Sequence, residues 1–159
     1  MLSRHPDLRE SARQLCVGYV DSSLDAAAFD EEGWFRTGDL GKVNEAGNVV
    51  ITGRLKDVII RKGENISAKE VEDLLFTHPK IADAAVIGLP DPKLGERCVA
   101  VIAPADPDDT PTLPELFDFC KESGLMVQKI PEQLEIVDAL PRNPSGKVLK
   151  HELRSTYSG

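Results

Sequence analysis

The sequence has a deficit of positive charge. It contains 19 lysines and arginines against 27 aspartates and glutamates, which gives a formal net charge of -8 at pH 7. Surfaces that bind nucleic acid or anionic membranes need clustered cations, so we expect no nucleic-acid partner. The deficit does not exclude an anionic small ligand, because a few cations brought together by the fold are enough to bind one.

Long hydrophobic runs and cysteines are also scarce. The N-terminal stretch "MLSRHPDLRESARQL" lacks the apolar core of a signal peptide, and no later run is long enough to span a bilayer. Cys16, Cys98 and Cys120 are odd in number and far apart, and no Cys/His pair has zinc spacing. We therefore expect no transmembrane segment, no metal site and no disulfide. Cys98 and Cys120 lie in apolar segments and are interpreted as buried free thiols of a cytoplasmic protein.

Regular elements are clearest after residue 56. The strand pattern "DVIIRK" precedes the helix pattern "SAKEVEDLLFTH", which Ser67 and Glu70 cap as a capping box. Two strand patterns follow, then a second helix with Thr112 and Glu115 as its capping box, the strand "EQLEIVDAL" and the helix "GKVLKHELRSTY". The order β-α-β-β-α-β-α predicts an α+β domain.

The first 55 residues have a different character. The strand patterns "DLGKV" and "NVVITGR" flank "NEAG", in which Gly47 can adopt the left-handed conformation of a bulged hairpin turn. No comparable set of helices accompanies them. We therefore predict two regions, a β-rich remnant of a larger domain over 1–55 and a small α+β domain over 56–159.

The stretch "DALPRNPSGKVLK" presents a lysine in a restrained loop. Pro141 and Pro144 restrict backbone φ, Gly146 permits a sharp bend, and Lys147 follows at the predicted start of a helix. A phosphate-binding loop ending in Gly-Lys needs glycine at position 141, so the nucleoside-triphosphatase interpretation is rejected. The alternative is a solvated surface lysine, although a flexible lysine needs no such loop.

Two further motifs contain charged residues near glycines. In "GWFRTGDLG", the carboxylate of Asp39 can accept two hydrogen bonds from a vicinal diol such as ribose, although an aspartate in a tight turn is the alternative. The stretch "GRLKDVIIRKGENIS" is interpreted either as a second functional loop or as a solvated charged one. His5, His78 and His151 have no nucleophile or metal partner in reach by sequence and are interpreted as structural or exposed.

The three motifs, in this order, resemble the C-terminal part of the adenylate-forming superfamily of acyl- and aryl-CoA synthetases, luciferases and peptide-synthetase adenylation domains. The resemblance runs from about Val17 to the end. It implies a mobile lid with a small mixed or antiparallel sheet and about three helices, preceded by the end of a large domain. Such enzymes convert ATP and a carboxylic acid to an acyl-adenylate, and then transfer the acyl group to a thiol such as that of CoA, releasing AMP.

The resemblance also implies roles for single residues. Asp39, assisted by Arg54, is expected to bind the ribose of the nucleotide. Lys56 corresponds to the hinge of the lid, and Lys147 to the lysine that enters the site during adenylation. The residues expected to line the CoA site are Arg61, Lys62, Gly63 and Glu64.

Parts of the family pattern are not present in this sequence. The phosphate loop and the motif with the Mg²⁺-binding glutamate are absent, so Mg²⁺ and most of the acid pocket are expected in the large domain, and the chain alone is expected to be inactive. "KGENISAKEVE" and a lysine hinge favour a CoA ligase, with a fatty or alicyclic acid as substrate. The alternatives are a peptide-synthetase lid and a free-standing regulatory lid.

Two interactions with proteins are also expected. The resemblance suggests that a lysine acetyltransferase modifies Lys147 and removes the charge that the chemistry needs. The segment 1–55, without its packing partners, is expected to leave Trp34, Phe35 and 49–51 partly exposed or to bury them by self-association.

Overall fold

The computed structural model describes the backbone of residues 7–10 and the whole of residues 18–158. His5 and Cys16 lie outside the described residues. The chain divides into two compact units, Met1–Lys56 and Asp57–Gly159. Each unit has its own sheet, and none of the described helices is long and apolar enough to cross a membrane.

The first unit is built on an antiparallel three-stranded sheet in the order β1-β2-β3. Its elements are β1 (Asp7–Glu10), a 3-10 turn (Ser22–Leu24), α1 (Asp25–Ala28), β2 (Phe35–Val43) and β3 (Val49–Arg54). The predicted hairpin between β2 and β3 is confirmed, and Gly47 adopts a φ of +80° in its turn. A 3-10 turn, Leu55–Asp57, then leads into the second unit.

The second unit contains a mixed five-stranded sheet and three helices. The strands are β4 (Val58–Arg61), β5 (Glu64–Ser67), β6 (Ile81–Asp91), β7 (Gly95–Pro104) and β8 (Gln133–Ile136). The helices are α2 (Ala68–Leu75), α3 (Leu113–Glu122) and α4 (Lys150–Tyr157), with a 3-10 turn at Val127–Lys129. β8 is parallel to β7, and the other pairings are antiparallel. The predicted α+β class, with a small mixed sheet and three helices, is confirmed.

Both faces of this sheet are buried. Side chains alternate between the faces of a strand, so Val86 and Ala100 face one core while Ile87 and Val99 face the other. Helices α2 and α3 cover the first face, and α4 contributes Leu153 to the second. This arrangement explains why β6 and β7 have nearly continuous apolar sequences rather than an alternating pattern.

The described cysteines and histidines are structural or exposed. Cys98 and Cys120 are buried free thiols, as predicted, and burial raises the pKa of Cys98 to about 12 and that of Cys120 to about 11. His78 is buried with its ring edge against Phe119, and its burial lowers its pKa. His151 is exposed.

The turn after β4 and the start of α4 differ from the predictions. The strand β5 was not predicted, because Lys62 and Gly63 form a two-residue turn in which both φ angles are positive, +50° and +81°. Such turns usually contain Asn-Gly, so Lys-Gly is a weak sequence signal. The prediction that Lys147 begins a helix was also wrong, since α4 starts at Lys150. The backbone N–H of Leu149 donates to Pro141 O at 2.8 Å, and this pairing delays the helix.

Candidate functional site

Lys147 ends a tight turn within residues 142–148, which we name the lysine loop. The N–H of Asn143 donates to Lys147 O at 2.9 Å, and the N–H of Gly146 donates to Asn143 O at 2.9 Å. The N–H of Lys147 in turn donates to Asn143 Oδ1 at 2.8 Å. Gly146 has a φ of +82°, which the absence of a Cβ makes accessible. The backbone at position 147 is therefore fixed by hydrogen bonds within the loop itself.

The side chain of Lys147 is exposed, and its ammonium group has no ion pair or hydrogen bond with any residue in 18–158. A fixed backbone and an unpaired cation make this position suited to binding an anion that is not part of the described structure. The lysine does not point into the interior of its own unit, as a structural lysine would.

Arg142 connects the lysine loop to the sheet. Its Nη1 donates to Gly146 O, the carbonyl directly before Lys147, at 2.5 Å. Its Nη2 binds Asp83 Oδ2 on β6, also at 2.5 Å. One guanidinium therefore braces the turn and attaches it to the core of the unit. The sequence analysis did not identify Arg142 or Asp83, which are 59 residues apart.

A second group of charges lies at the base of the lysine loop. Lys150 Nζ binds Glu72 Oε1 at 2.7 Å and lies 3.9 Å from Asp57 Oδ2, while Arg154 Nη2 binds Asp57 Oδ1 at 3.1 Å. The side chains of Lys150, Glu72 and Asp57 are each 16% exposed. Removing Lys150 would leave the poorly solvated carboxylate of Glu72 without its ion-pair partner, which is strongly destabilising. The cluster thus joins the first residue of the second unit firmly to α4.

Asp39 and Arg54 are brought together in the first unit. They are register partners on β2 and β3, and Arg54 Nε binds Asp39 Oδ1 at 3.0 Å. Beside them, Thr37, Gly38, Arg54, Leu55 and Lys56 line an open cavity of about 380 Å³. Lys56 is exposed and is the last residue of this unit.

The four residues expected at a CoA site divide into two groups. Lys62, Gly63 and Glu64 are exposed at the turn between β4 and β5. The side chain of Arg61 is only 17% exposed, because its guanidinium forms a bidentate pair with Glu132 and donates to Gln128 O at 3.0 Å. Arg61 is therefore occupied within the fold and does not present a free cation.

Comparisons with known proteins agree with this arrangement. Residues 70–147 match the family described as AMP-binding enzyme C-terminal domain. The chain is 46% identical over 139 residues to the medium-chain fatty-acid–CoA ligase of Escherichia coli strain K12, covering 87% of this chain and 25% of that protein. It is 43% identical over 140 residues to the 2,3-dihydroxybenzoate-AMP ligase of Bacillus subtilis strain 168, covering 88% and 26%.

A solved structure gives the same result. The ATP-bound crystal structure of MatB from Rhodopseudomonas palustris has a TM-score of 0.81 and 37% identity, covering 89% of this chain and 28% of that one. The chain spans about a quarter of the length of the curated relatives that it matches. The chain therefore corresponds to the C-terminal part of an adenylate-forming enzyme of the acyl-CoA synthetase superfamily, with an AMP-binding enzyme C-terminal domain at residues 70–147.

Proposed function

We propose that this chain is the lid and adjoining segment of an AMP-forming acid–CoA ligase, and that Lys147 serves the adenylation step. The observation that supports this most directly is an exposed ammonium group that has no ion pair with the described residues and lies on a hydrogen-bonded loop within an AMP-binding C-terminal domain. The domain boundary is proposed at residues 55 and 56, with 56–159 as the lid. The chain divides into compact units one residue further on, between Lys56 and Asp57.

The chemistry requires a cation at the point where two anions meet. A carboxylate attacks the α-phosphate of ATP, forms the acyl–phosphate bond and expels pyrophosphate, while negative charge grows on the phosphoryl oxygens. The compact ammonium of Lys147 offsets this repulsion in the transition state. A preorganised donor of this kind contributes roughly 2.7–4 kcal/mol, or about a hundred- to a thousandfold in rate.

Asp39 is proposed to accept hydrogen bonds from the ribose hydroxyls. The ion pair with Arg54 supports this role, because the guanidinium, bonded to the carboxylate at 3.0 Å, holds it in one orientation. The cavity beside the pair provides space for a ligand on that side of β2.

The second half-reaction is proposed to follow a rotation of the lid about Lys56. The ion pairs of Asp57 support a sharp pivot, because the residue that follows Lys56 is held rigidly within the second unit. The rotation withdraws Lys147 and brings the turn of Lys62, Gly63 and Glu64 to the thiol arm of CoA. The guanidinium of Arg61 is paired with Glu132, so Lys62 is the exposed cation of this group that we propose binds a phosphate of CoA.

Other components of the reaction are proposed to lie in the large domain. The phosphate loop, the Mg²⁺-binding glutamate and most of the acid pocket are not in this sequence, so we propose that the chain alone does not form the adenylate. Among the described residues, no cluster of three acidic, cysteine or histidine side chains is suited to hold a metal ion. A fatty or alicyclic acid is proposed as substrate, since fatty-acid–CoA ligases are among the relatives.

Two protein contacts and a location complete the proposal. Trp34, Val49 and Ile51 are exposed in the first unit, which fits burial against a large domain or self-association. The exposure of Lys147 fits modification by a lysine acetyltransferase, which would abolish its charge. Buried free thiols at Cys98 and Cys120 fit the reducing cytoplasm.

An acyl carrier thiol is the second candidate acceptor. Its support comes from relatives that are not CoA ligases by name, including Triostin synthetase I of Streptomyces triostinicus at 44% identity over 128 residues. A transfer assay that compares CoA with a phosphopantetheinylated carrier protein distinguishes the two acceptors.

The proposed function is tested by pyrophosphate release from this chain combined with a separately produced large domain and a panel of fatty, alicyclic and aryl acids. Lys147→Ala should lower adenylation about a hundred- to a thousandfold, yet leave transfer to CoA from premade acyl-adenylate unchanged. Lys42→Ala, at another exposed lysine, should change neither step. Equal losses in both half-reactions would overturn the role of Lys147.

A further inference from the structure

The hairpin formed by β4 and β5 has a limited connection to the rest of its sheet. β4 pairs with β5 along its whole length, but its only register pair with β7 is Arg61 with Gly95. One additional backbone bond runs from Lys62 N to Leu94 O at 2.8 Å. The backbone of this hairpin is therefore attached to β7 by few hydrogen bonds, while Ile59 and Ile66 hold it to the core of the unit.

The carboxylate of Glu96 supplies one of these contacts. The backbone N–H of Ile60 on β4 donates to Glu96 Oε2 at 2.6 Å. Glu96 belongs to β7, so its side chain provides a hydrogen-bond acceptor from the neighbouring strand to the backbone of β4. Hydrogen bonds to an ionised carboxylate are shorter and roughly twice as strong as neutral ones.

Gly88 on β6 leaves the space that this carboxylate occupies. A Cβ at position 88 would lie 2.9 Å from Glu96 Oε1, 3.0 Å from its Cδ and 3.1 Å from its Oε2. The φ of Gly88 is not in the left-handed range, so its backbone conformation does not require glycine. The space, rather than the backbone, accounts for a glycine at this position in a strand.

A second anchor holds the adjacent residue. Arg61 forms its bidentate pair with Glu132, just before β8. Ile60 and Arg61 are thus held by two carboxylates, one on β7 and one just before β8, directly before the Lys62–Gly63 turn. Both contacts fix the base of the turn, and the turn itself stays free to meet a ligand.

We propose that Glu96 is a positioning residue for the second half-reaction. Its carboxylate fixes β4 so that the exposed turn of Lys62, Gly63 and Glu64 meets the thiol-bearing acceptor in the required place. The proposal rests on the proposed function, because it assumes that this turn faces the acceptor. Glu96 itself touches no substrate and acts through the backbone of Ile60.

Three variants of the chain, each combined with the large domain, test this role. Glu96→Ala removes the acceptor, Glu96→Gln retains an acceptor oxygen, and Gly88→Ala displaces the carboxylate without altering its charge. Glu96→Ala and Gly88→Ala should lower kcat/KM for CoA about tenfold, mainly through KM, as expected for the loss of a charged hydrogen bond. Pyrophosphate release in the first half-reaction should stay within about twofold of wild type, and Glu96→Gln should recover most of the transfer activity.

Amide hydrogen exchange on the chain alone gives a readout that is independent of activity. The Ile60 amide should exchange about tenfold faster in Glu96→Ala and Gly88→Ala, while the Val99 amide in the centre of the sheet should be unchanged. Unchanged Ile60 exchange, or faster exchange with normal transfer, would overturn the proposal. Equal losses in both half-reactions would also overturn it, since that result indicates general destabilisation. If Lys147→Ala fails to impair adenylation, the proposed function fails instead.

Discussion

Two turns of this protein have nearly the same backbone, although they lie in different units. In "NEAGN" (44–48) and "NPSGK" (143–147), the N–H of the first asparagine donates to the carbonyl of the fifth residue at 2.9 Å. The asparagine Oδ1 accepts from the fifth N–H at 2.9 and 2.8 Å, and the glycine φ is +80° and +82°. Asparagine and glycine at these spacings are enough to produce the turn.

The turns differ in what surrounds that backbone. In the second turn, Arg142 attaches the Gly146 carbonyl to Asp83 of the sheet, and the fifth residue is Lys147. The position equivalent to Arg142 in the first turn is Val43, which is 67% exposed, and the fifth residue is Asn48. The local sequence is therefore sufficient to form the turn. The attachment to Asp83 and the cation at position 147 are what make the second turn suited to binding an anion.

Exchanging the two fifth residues tests the comparison most severely. In the double variant Asn48→Lys with Lys147→Asn, adenylation should fall about a hundred- to a thousandfold, because the new lysine occupies a similar turn on the wrong unit. Pyrophosphate release in the combined enzyme measures the effect. Asn48→Lys alone is the control and should leave the rate unchanged. Normal adenylation by the double variant would mean that tertiary placement of the lysine is unimportant.

Removing the contact between Arg142 and Asp83 should have a smaller effect on the adenylation rate. Arg142→Ala should lower adenylation about tenfold and leave transfer from premade adenylate intact, since the loop keeps its own hydrogen bonds but loses Asp83. The estimate is at the low end for charged hydrogen bonds because Arg142 is 43% exposed. Val43→Ala, at the equivalent position, should change neither step. An unchanged adenylation rate in Arg142→Ala would show that the attachment has no role in the chemistry.

Substituting Gly47 and Gly146 compares how much each turn contributes to the stability of its own unit. Gly146→Ala and Gly47→Ala each force a left-handed φ on alanine, with nothing within 4 Å of the added Cβ, so each should cost about 1–2 kcal/mol of the unfolding free energy of its own unit. Urea titration followed by Trp34 fluorescence reports the first unit, and amide exchange reports the second. Only Gly146→Ala should also lower adenylation, by a few fold. If only one of the two substitutions lowers the unfolding free energy, the two turns are not equivalent.

The smallest effect is expected from the asparagines. Asn143→Ala and Asn44→Ala each remove one side-chain acceptor from a backbone N–H, which should cost about 0.5–1.5 kcal/mol in the same two measurements. Aspartate at either position keeps the acceptor and should restore most of the loss. If aspartate fails to do so, the asparagine Oδ1 is not the group that stabilises the turn.

Signals confined to a few neighbouring residues were the most reliable part of the sequence analysis. The capping box of Thr112 and Glu115 forms as predicted, and Gly124 follows its helix with a φ of +84°. At α2, where Ser67 and Glu70 were predicted to form a capping box, Ser67 Oγ accepts from Glu70 N at 3.3 Å, but the Glu70 carboxylate binds Lys129 at 2.7 Å. A partner 59 residues away therefore engages a side chain for which the local pattern predicted a different role.

Interactions between distant residues account for the rest. The guanidinium of Arg61 is paired with Glu132, 71 residues away, and nothing in the local pattern indicated that partner. The roles of Glu96 and Arg142 likewise depend on partners in other strands. Such pairs leave no periodic signal in the sequence, because the separation between two strands that meet in a sheet follows from the connections between them and not from helical or strand spacing.

By itself, the sequence determined the class of the fold, the turns at 44–48 and 143–147 and the positions of the three motifs, because these follow from backbone preferences and hydrophobic spacing. The tertiary structure alone decided which charges are available. Lys147 and Lys62 remain exposed, whereas Arg61, Arg142 and Lys150 are paired with carboxylates from other elements. A charged side chain contributes to binding or to folding according to whether the fold brings an opposite charge within reach.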